Sequence, residues 1–157
     1  MMQGATDALL QFSKLVWNSE IWRVVVNVQH RFEHGYEPSD LDSLRLDLRQ
    51  LLSNPGSRIK HRHVGSVWFD ASVCGLRLER TGDVIVACGD SSDKVLTQFR
   101  GLVGKTLARV DIVSPAGDAD FVLEDGIVLR CFAATGRFGE SWGILPAENA
   151  AAPQAAS

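Results

Sequence analysis

The feature that most constrains the fold is a series of short apolar runs separated by turn residues, extending from Ile59 to Leu145. Runs of this length, bounded by Gly, Asp and Ser, are typical of β-strands. Because helical segments do not link most of them, we expect consecutive strands to pair antiparallel as a meander. The predicted strands are 64–69, 75–80, 84–88, 106–113, 120–124, 127–132 and 142–145, and residues 92–102 are predicted to form a short helix.

Two of the predicted strand pairs resemble each other. Residues 76–88 align with residues 121–131 as strand, tight turn and strand, with turns of different length. This pattern fits an internally duplicated three-strand unit, and it fits two ordinary hairpins equally well. Asp125-Gly126 predicts a tight hairpin, because both residue types tolerate the positive φ that such turns require.

The first third of the chain combines one strand pattern with two helical patterns. Residues 5–16 carry apolar side chains at helical spacing, whereas residues 21–32 alternate with a period of two. A second helix is predicted from about Ser39 to Ser53, with its apolar stripe formed by leucines. These are Leu41, Leu44, Leu48, Leu51 and Leu52.

Together these patterns predict an α+β fold in which N-terminal helices pack on an antiparallel, meander-type β-sheet. We expect one domain over residues 1–145. It would comprise a helix-strand-helix portion (5–56) and an antiparallel β portion (59–145). Residues 146–157, rich in Ala with two prolines, are predicted to be a flexible tail.

Composition narrows the classes of function. The 157 residues carry a formal net charge of −3, which argues against a protein whose main task is to bind phosphate backbones. The three cysteines show no CxxC spacing and are expected to be buried free thiols in a reducing compartment. Neither a secretory signal nor an apolar run of membrane-spanning length is recognisable, so a cytoplasmic location is predicted.

The four histidines fall into two pairs, His30 with His34 and His61 with His63. On a strand, His61 and His63 would project from the same face at a spacing that can serve one metal ion. The alternative is that all four are solvated or partly buried side chains without a metal. The sequence assigns no cofactor.

Two charged groups are candidate partner-binding surfaces. The basic group consists of Arg58, Lys60 and Arg62, and it can recognise an acidic partner or a nucleic-acid backbone. The acidic group consists of Asp118, Asp120 and Asp125, and it can steer a basic partner. The structural alternative for both groups is a solvated strand edge or turn.

Signatures of catalysis are missing from the sequence. The serines near Gly89 do not form a Gly-x-Ser-x-Gly elbow, and the glycines match neither a phosphate loop nor a dinucleotide fingerprint. The carboxylates stand at turn positions, where solvent would keep their pKa values ordinary and unsuited to acid-base work. We therefore expect a protein without enzymatic activity.

A resemblance to a known group of proteins spans residues 107–145. It rests on Leu107 to Val113, on the run from Gly117 to Leu129 containing Asp125-Gly126, and on Glu140-Ser-Trp142-Gly-Ile144. This pattern resembles small bacterial proteins that include immunity proteins of contact-dependent and other polymorphic toxin systems. The resemblance implies a protein that neutralises a toxin domain by binding it, without chemistry of its own.

The predicted function is therefore a non-enzymatic protein-binding module, most specifically an immunity protein with a cognate toxin as partner. One alternative is a small-molecule or metal-binding domain that uses the histidine pairs. A second alternative is a nucleic-acid-binding subunit that uses residues 58–63. A homodimer formed through an exposed strand edge is left open.

Overall fold

The computed structural model describes residues 14, 16–30, 39–51, 56, 61–71, 74–113, 118–133 and 142–147. In these residues the chain forms nine strands and one helix with defined ends, α1. The strands are β1 (Ser19–His30), β2 (Ser39–Leu51), β3 (His61–Asp70), β4 (Cys74–Arg80), β5 (Asp83–Ala87), β6 (Thr106–Ile112), β7 (Ala119–Leu123), β8 (Ile127–Ala133) and β9 (Trp142–Pro146), and α1 is Ser92–Arg100.

All nine strands belong to one antiparallel sheet with the order β5-β4-β8-β7-β6-β1-β2-β3-β9. Consecutive strands form two meanders, β1-β2-β3 and β6-β7-β8, and one hairpin, β4-β5. The meanders meet at a short seam, where Ser19 pairs with Leu107 and Glu20 with Thr106. We call β1-β2-β3-β9 the first half-sheet and β5-β4-β8-β7-β6 the second half-sheet.

The two half-sheets pack face to face around one core. Phe69 of β3 contacts Phe121 of β7 with ring centroids 4.9 Å apart, and Phe121 contacts Trp142 of β9 at 5.0 Å; both contacts are edge-to-face. Strands distant in the sheet order are therefore close in space, which requires the sheet to fold over itself at the β1–β6 seam. Val95 and Phe99 of α1, both fully buried, add to this core beside β1, β2 and β5.

The prediction of an α+β fold with N-terminal helices is wrong, and the segment responsible is β2. Residues 39–51 form a strand that pairs with β1 on one side and β3 on the other. Leu44, Leu46 and Leu48 are buried at a period of two, whereas Leu51, assigned to the helical stripe, is 73% exposed. The leucine spacing also satisfies a helix, but two neighbouring strands offer hydrogen bonds to both edges of the segment. The described chain is all-β with one short helix.

The remaining fold predictions have mixed outcomes. The strands predicted after Ile59 and the helix predicted over 92–102 are confirmed within a few residues. Asp125 and Gly126 form the predicted turn, with φ of 62° and 74°. A duplicated three-strand unit is wrong, because β3 and β4 are not neighbours in the sheet. The helix predicted over 5–16, apart from residues 14 and 16, and the tail after residue 147 lie outside the described residues.

Candidate binding face

The outward side of the first half-sheet carries an ordered set of charged and aromatic residues. Directly paired residues of an antiparallel sheet point to the same side, so β1, β2 and β3 together form cross-strand rows. Three rows define the surface that we call the binding face. They are Glu20–Arg49–His63, Arg23–Asp47–Ser66 and Val25–Arg45–Trp68, with Trp22 at a bulge beside the first row.

Asp47 is the centre of this face. Its side chain is 2% exposed although it points away from the core. Arg23 Nε donates to its Oδ2 at 2.5 Å, Ser66 Oγ donates to its Oδ1 at 2.6 Å, and Arg45 Nε lies 3.2 Å from Oδ1. Asp47 therefore fixes two guanidinium groups that remain about half exposed.

The pKa of Asp47 is lowered from its ordinary value as the net result of opposing causes. Burial alone raises the pKa, since it disfavours the charged form. The hydrogen bonds from Ser66 and Arg23, and the charges of Arg45 and Arg23, outweigh that effect. Asp47 is thus an ionised structural group, and a carboxylate of this kind is a poor general base near neutral pH.

Trp22 lies at one end of the face and is held by neighbours on two strands. Its Nε1 donates to His63 Nδ1 at 3.3 Å, and the two rings meet edge-on with centroids 5.9 Å apart. The Arg23 guanidinium carbon lies 5.1 Å from the centre of the Trp22 ring, within cation–π range. Trp22 remains 37% exposed, so a large aromatic side chain is both positioned and accessible.

Trp68 is a second aromatic residue on the face, half-buried because its indole lies over Gly143 of β9. A Cβ at position 143 would lie 2.6 Å from Trp68 Cζ2, closer than any van der Waals contact. His63 and Trp68 are five positions apart on β3, and at the usual strand rise this corresponds to about 16 Å. The face therefore presents aromatic groups at two separated places, with arginines between them.

The electrostatics of the face differ from those of the whole chain. The face carries three arginines, Arg23, Arg45 and Arg49, and two carboxylates, Asp47 and Glu20. Its formal charge is therefore positive, whereas the whole chain carries a net charge of −3. Arg49 is tied to Glu20, with Nε donating to Oε1 at 2.7 Å. Arg62 is exposed next to His63 on β3, but it pairs with Gln50 and lies on the other side of the sheet. This surface is locally basic on an acidic protein.

The second half-sheet carries a carboxylate–arginine cluster on its own outward side. Glu79 is buried there, with Arg77 Nε at 2.8 Å and Arg130 Nε at 2.7 Å from its Oε2. Arg130 Nη1 also donates to Asp120 Oδ2 at 2.9 Å. Phe132, 43% exposed and beneath the Arg77 guanidinium, is the large aromatic residue at this surface.

The predicted acidic group does not form one site. Asp120 lies on the outward side of β7 in the ion pair with Arg130. Asp125 lies in the β7–β8 turn and accepts from Lys105 Nζ at 3.1 Å. Asp118 precedes β7, at the opposite end of that strand from Asp125, and its carbonyl accepts from the Val113 amide. The three residues are therefore spread along one strand and its ends.

The predicted basic group and the histidine pairs are described in part. Arg58, Lys60 and His34 lie outside the described residues, and of His30 only the backbone, at the end of β1, is described. His61 and His63 are exposed on β3, and His63 is engaged by Trp22. The described residues contain no group of three or more His, Cys, Asp or Glu side chains that could hold a metal ion.

The residues central to the face were missed because β2 was assigned as a helix. On a helix, Arg45 and Arg49 share a face and Asp47 points to the opposite side, whereas on a strand all three share one side. The run Arg45-Leu46-Asp47-Leu48-Arg49 alternates strictly between charged and apolar residues. That alternation is the signal that identifies both the strand and its outward residues.

The described part of the chain includes no helix of sufficient length and apolarity to cross a membrane. The chain matches no protein-family model, no curated protein and no solved structure.

Proposed function

We propose that the protein is a binding module whose binding face, on β1-β2-β3, docks an acidic surface of a protein partner. The observation that carries this proposal is the exposed Trp22, held by His63 and Arg23 within a locally basic surface. Trp and Arg are the residues that most often dominate binding energy at protein interfaces. Because their side chains are already fixed by partners within the sheet, less conformational entropy is lost on docking.

The specific form of the proposal is neutralisation of a toxin domain by direct binding. It is supported by the resemblance of residues 107–145 to immunity proteins and by the lack of a catalytic signature in the sequence. The acidic residues Asp118, Asp120 and Asp125 are too dispersed to serve as the common surface for a basic partner. An acidic partner on the binding face is therefore the better match.

The test is co-expression with the product of the adjacent gene, followed by calorimetric titration of the purified pair. Trp22→Ala and Arg49→Glu should each weaken binding at least about tenfold, the usual scale for a central interface residue. The matched controls are Phe132→Ala and Arg109→Glu on the second half-sheet, since Phe132 resembles Trp22 in exposure and Arg109 also has a carboxylate partner, Asp111 of the same strand. Equal losses in both pairs of variants, or no complex at all, would contradict the proposal.

A second candidate function is binding of single-stranded nucleic acid by the same face. Aromatic side chains and arginines on an open sheet surface are a common arrangement in proteins that stack bases and neutralise phosphates. Here the arginines of the rows are tied to carboxylates, which favours a protein partner. A titration with an oligo-thymidine at increasing salt separates the two, because nucleic-acid affinity falls steeply with salt.

A further inference from the structure

We propose that His63 makes the binding face pH-sensitive: when neutral it accepts a hydrogen bond from Trp22, and when protonated it loses that bond and strengthens attachment of an acidic partner, while the Trp22 ring stays beside the Arg23 guanidinium. The stronger binding of an acidic partner rests on the proposed function. The loss of the Trp22–His63 hydrogen bond does not depend on it. It concerns one hydrogen bond between two side chains on different strands, Trp22 Nε1 to His63 Nδ1.

The hydrogen bond defines the protonation state of His63. An indole N–H can only donate, so Nδ1 must present a lone pair and the proton of the neutral imidazole must lie on Nε2. An imidazolium carries protons on both nitrogens and has no acceptor. Protonation therefore places two donors opposite each other, and the Trp22–His63 bond is lost.

The charged groups around His63 come from three strands. Arg49 lies directly opposite on β2 and is bonded to Glu20 of β1, while Arg23 of β1 lies over the Trp22 ring. Arg62 and His61 are its neighbours on β3. None of the described carboxylates forms an ion pair with His63, so protonation adds positive charge to a locally basic surface.

An acidic partner compensates that added charge. Its carboxylates interact more favourably with the protonated face, and by reciprocity the bound partner favours protonation of His63. An exposed charge pair of this kind contributes about a two- to fivefold change in affinity. The affinity for an acidic ligand should therefore rise as the pH falls and His63 takes up a proton.

The variant that separates the roles of His63 is His63→Asn. The Asn Oδ1 occupies roughly the position of Nδ1, so it can accept from Trp22 but cannot become charged. His61→Asn is the matched control. His61 is exposed on the same strand two positions before His63, and it pairs with Leu51 of β2. Trp22→Phe identifies which indole signal belongs to Trp22.

The first measurement is the indole N–H signal of Trp22 in ¹H–¹⁵N spectra as a function of pH. We expect it to titrate in the wild type and in His61→Asn and to stay constant in His63→Asn. A signal that titrates unchanged in His63→Asn, or that does not titrate in the wild type, would overturn the inference whatever the partner is.

The second measurement is the affinity for an oligo-aspartate peptide at about pH 5.5 and about pH 7.5. The wild type and His61→Asn should bind about two- to fivefold more tightly at the lower pH, and His63→Asn should show no difference. An equal gain in all three proteins would overturn the regulatory role. No peptide binding at either pH, with the Trp22 titration intact, would overturn the acidic partner and leave His63 as a structural contact alone.

Discussion

The outward faces of the two half-sheets share a central motif and differ in what surrounds it. Each holds a buried carboxylate between one arginine of its own strand and one of a neighbouring strand, Asp47 on the first half-sheet and Glu79 on the second. The first adds Trp22 and Trp68 around that centre, whereas the second extends into the Arg130–Asp120 pair. The shared motif holds strands together, and the second face has one exposed aromatic residue of its own, Phe132. The two tryptophans, not the number of arginines, therefore distinguish the candidate binding face.

The two carboxylates also differ in how their oxygens are used. Asp47 accepts hydrogen bonds on both oxygens, from Arg23 and from Ser66. At Glu79, the Nε atoms of both arginines lie closest to the same oxygen, Oε2. The centre of the first face therefore uses both carboxylate oxygens as acceptors. The other leaves one oxygen without an arginine ion pair among the described residues.

The largest expected effect tests whether the two faces belong to one cooperative unit. Phe121 belongs to the second half-sheet, and its ring contacts Phe69 and Trp142 of the first half-sheet. Phe121→Ala removes these contacts. We expect a loss of about 3–5 kcal/mol in the free energy of unfolding, the usual scale for a buried Phe. Denaturant unfolding followed by far-UV circular dichroism and by tryptophan fluorescence should give coincident transitions; separate transitions would show that the halves are independent domains.

The next prediction contrasts the two buried carboxylates directly. Asp47→Asn removes the negative charge between Arg23 and Arg45, and its amide must turn either towards Arg23, which can only donate, or towards Ser66, whose hydroxyl must then rotate to accept. It should cost about 2 kcal/mol of stability. Glu79→Gln can present its oxygen to both arginines and should cost about 1 kcal/mol or less. Equal costs in urea unfolding would show that the difference in hydrogen bonding has no energetic consequence.

Two glycines provide a third contrast, since each lies across from an aromatic residue on an outward face. A Cβ at Gly143 would lie 2.6 Å from Trp68, whereas a Cβ at Gly75 would lie 3.8 Å from Phe132. Gly143→Ala should therefore cost about 1–3 kcal/mol and displace Trp68 into solvent, with a red-shifted emission. Gly75→Ala should change stability by less than about 1 kcal/mol; a similar cost at both positions would argue against the packing of Trp68 on β9.

The smallest expected effect is a pH dependence specific to the first face. Because the pKa of Asp47 is lower in the folded protein than in the unfolded chain, its contribution to stability is present above the unfolded pKa, about 4. That contribution is lost as the pH falls through the folded pKa. The stability difference between the wild type and Asp47→Asn should therefore narrow in acid, and a difference that stays constant from neutral pH to strong acid would contradict the assignment.

The sequence predicts local structure well and long-range structure poorly, for physical reasons. The hairpin at Asp125-Gly126 and helix α1 depend on neighbouring residues, so their signals lie within a few positions of each other. The leucine spacing of β2 fits a helix as well as a strand, and hydrogen bonds from β1 and β3 favour the strand. The local signal for the strand is the alternation of charged and apolar residues over 45–49. The binding face was hidden because Glu20, Arg49 and His63 form a row only after three strands pair.

The central claim, that the first half-sheet presents the binding face, is tested most directly by titrating ¹⁵N-labelled protein with an oligo-aspartate peptide. The indole signals of Trp22 and Trp68 should shift together, while the buried Trp142 and the Nε–H signals of Arg77 and Arg109 on the second half-sheet should stay in place. Shifts confined to the second half-sheet, or spread equally over both faces, would contradict the claim.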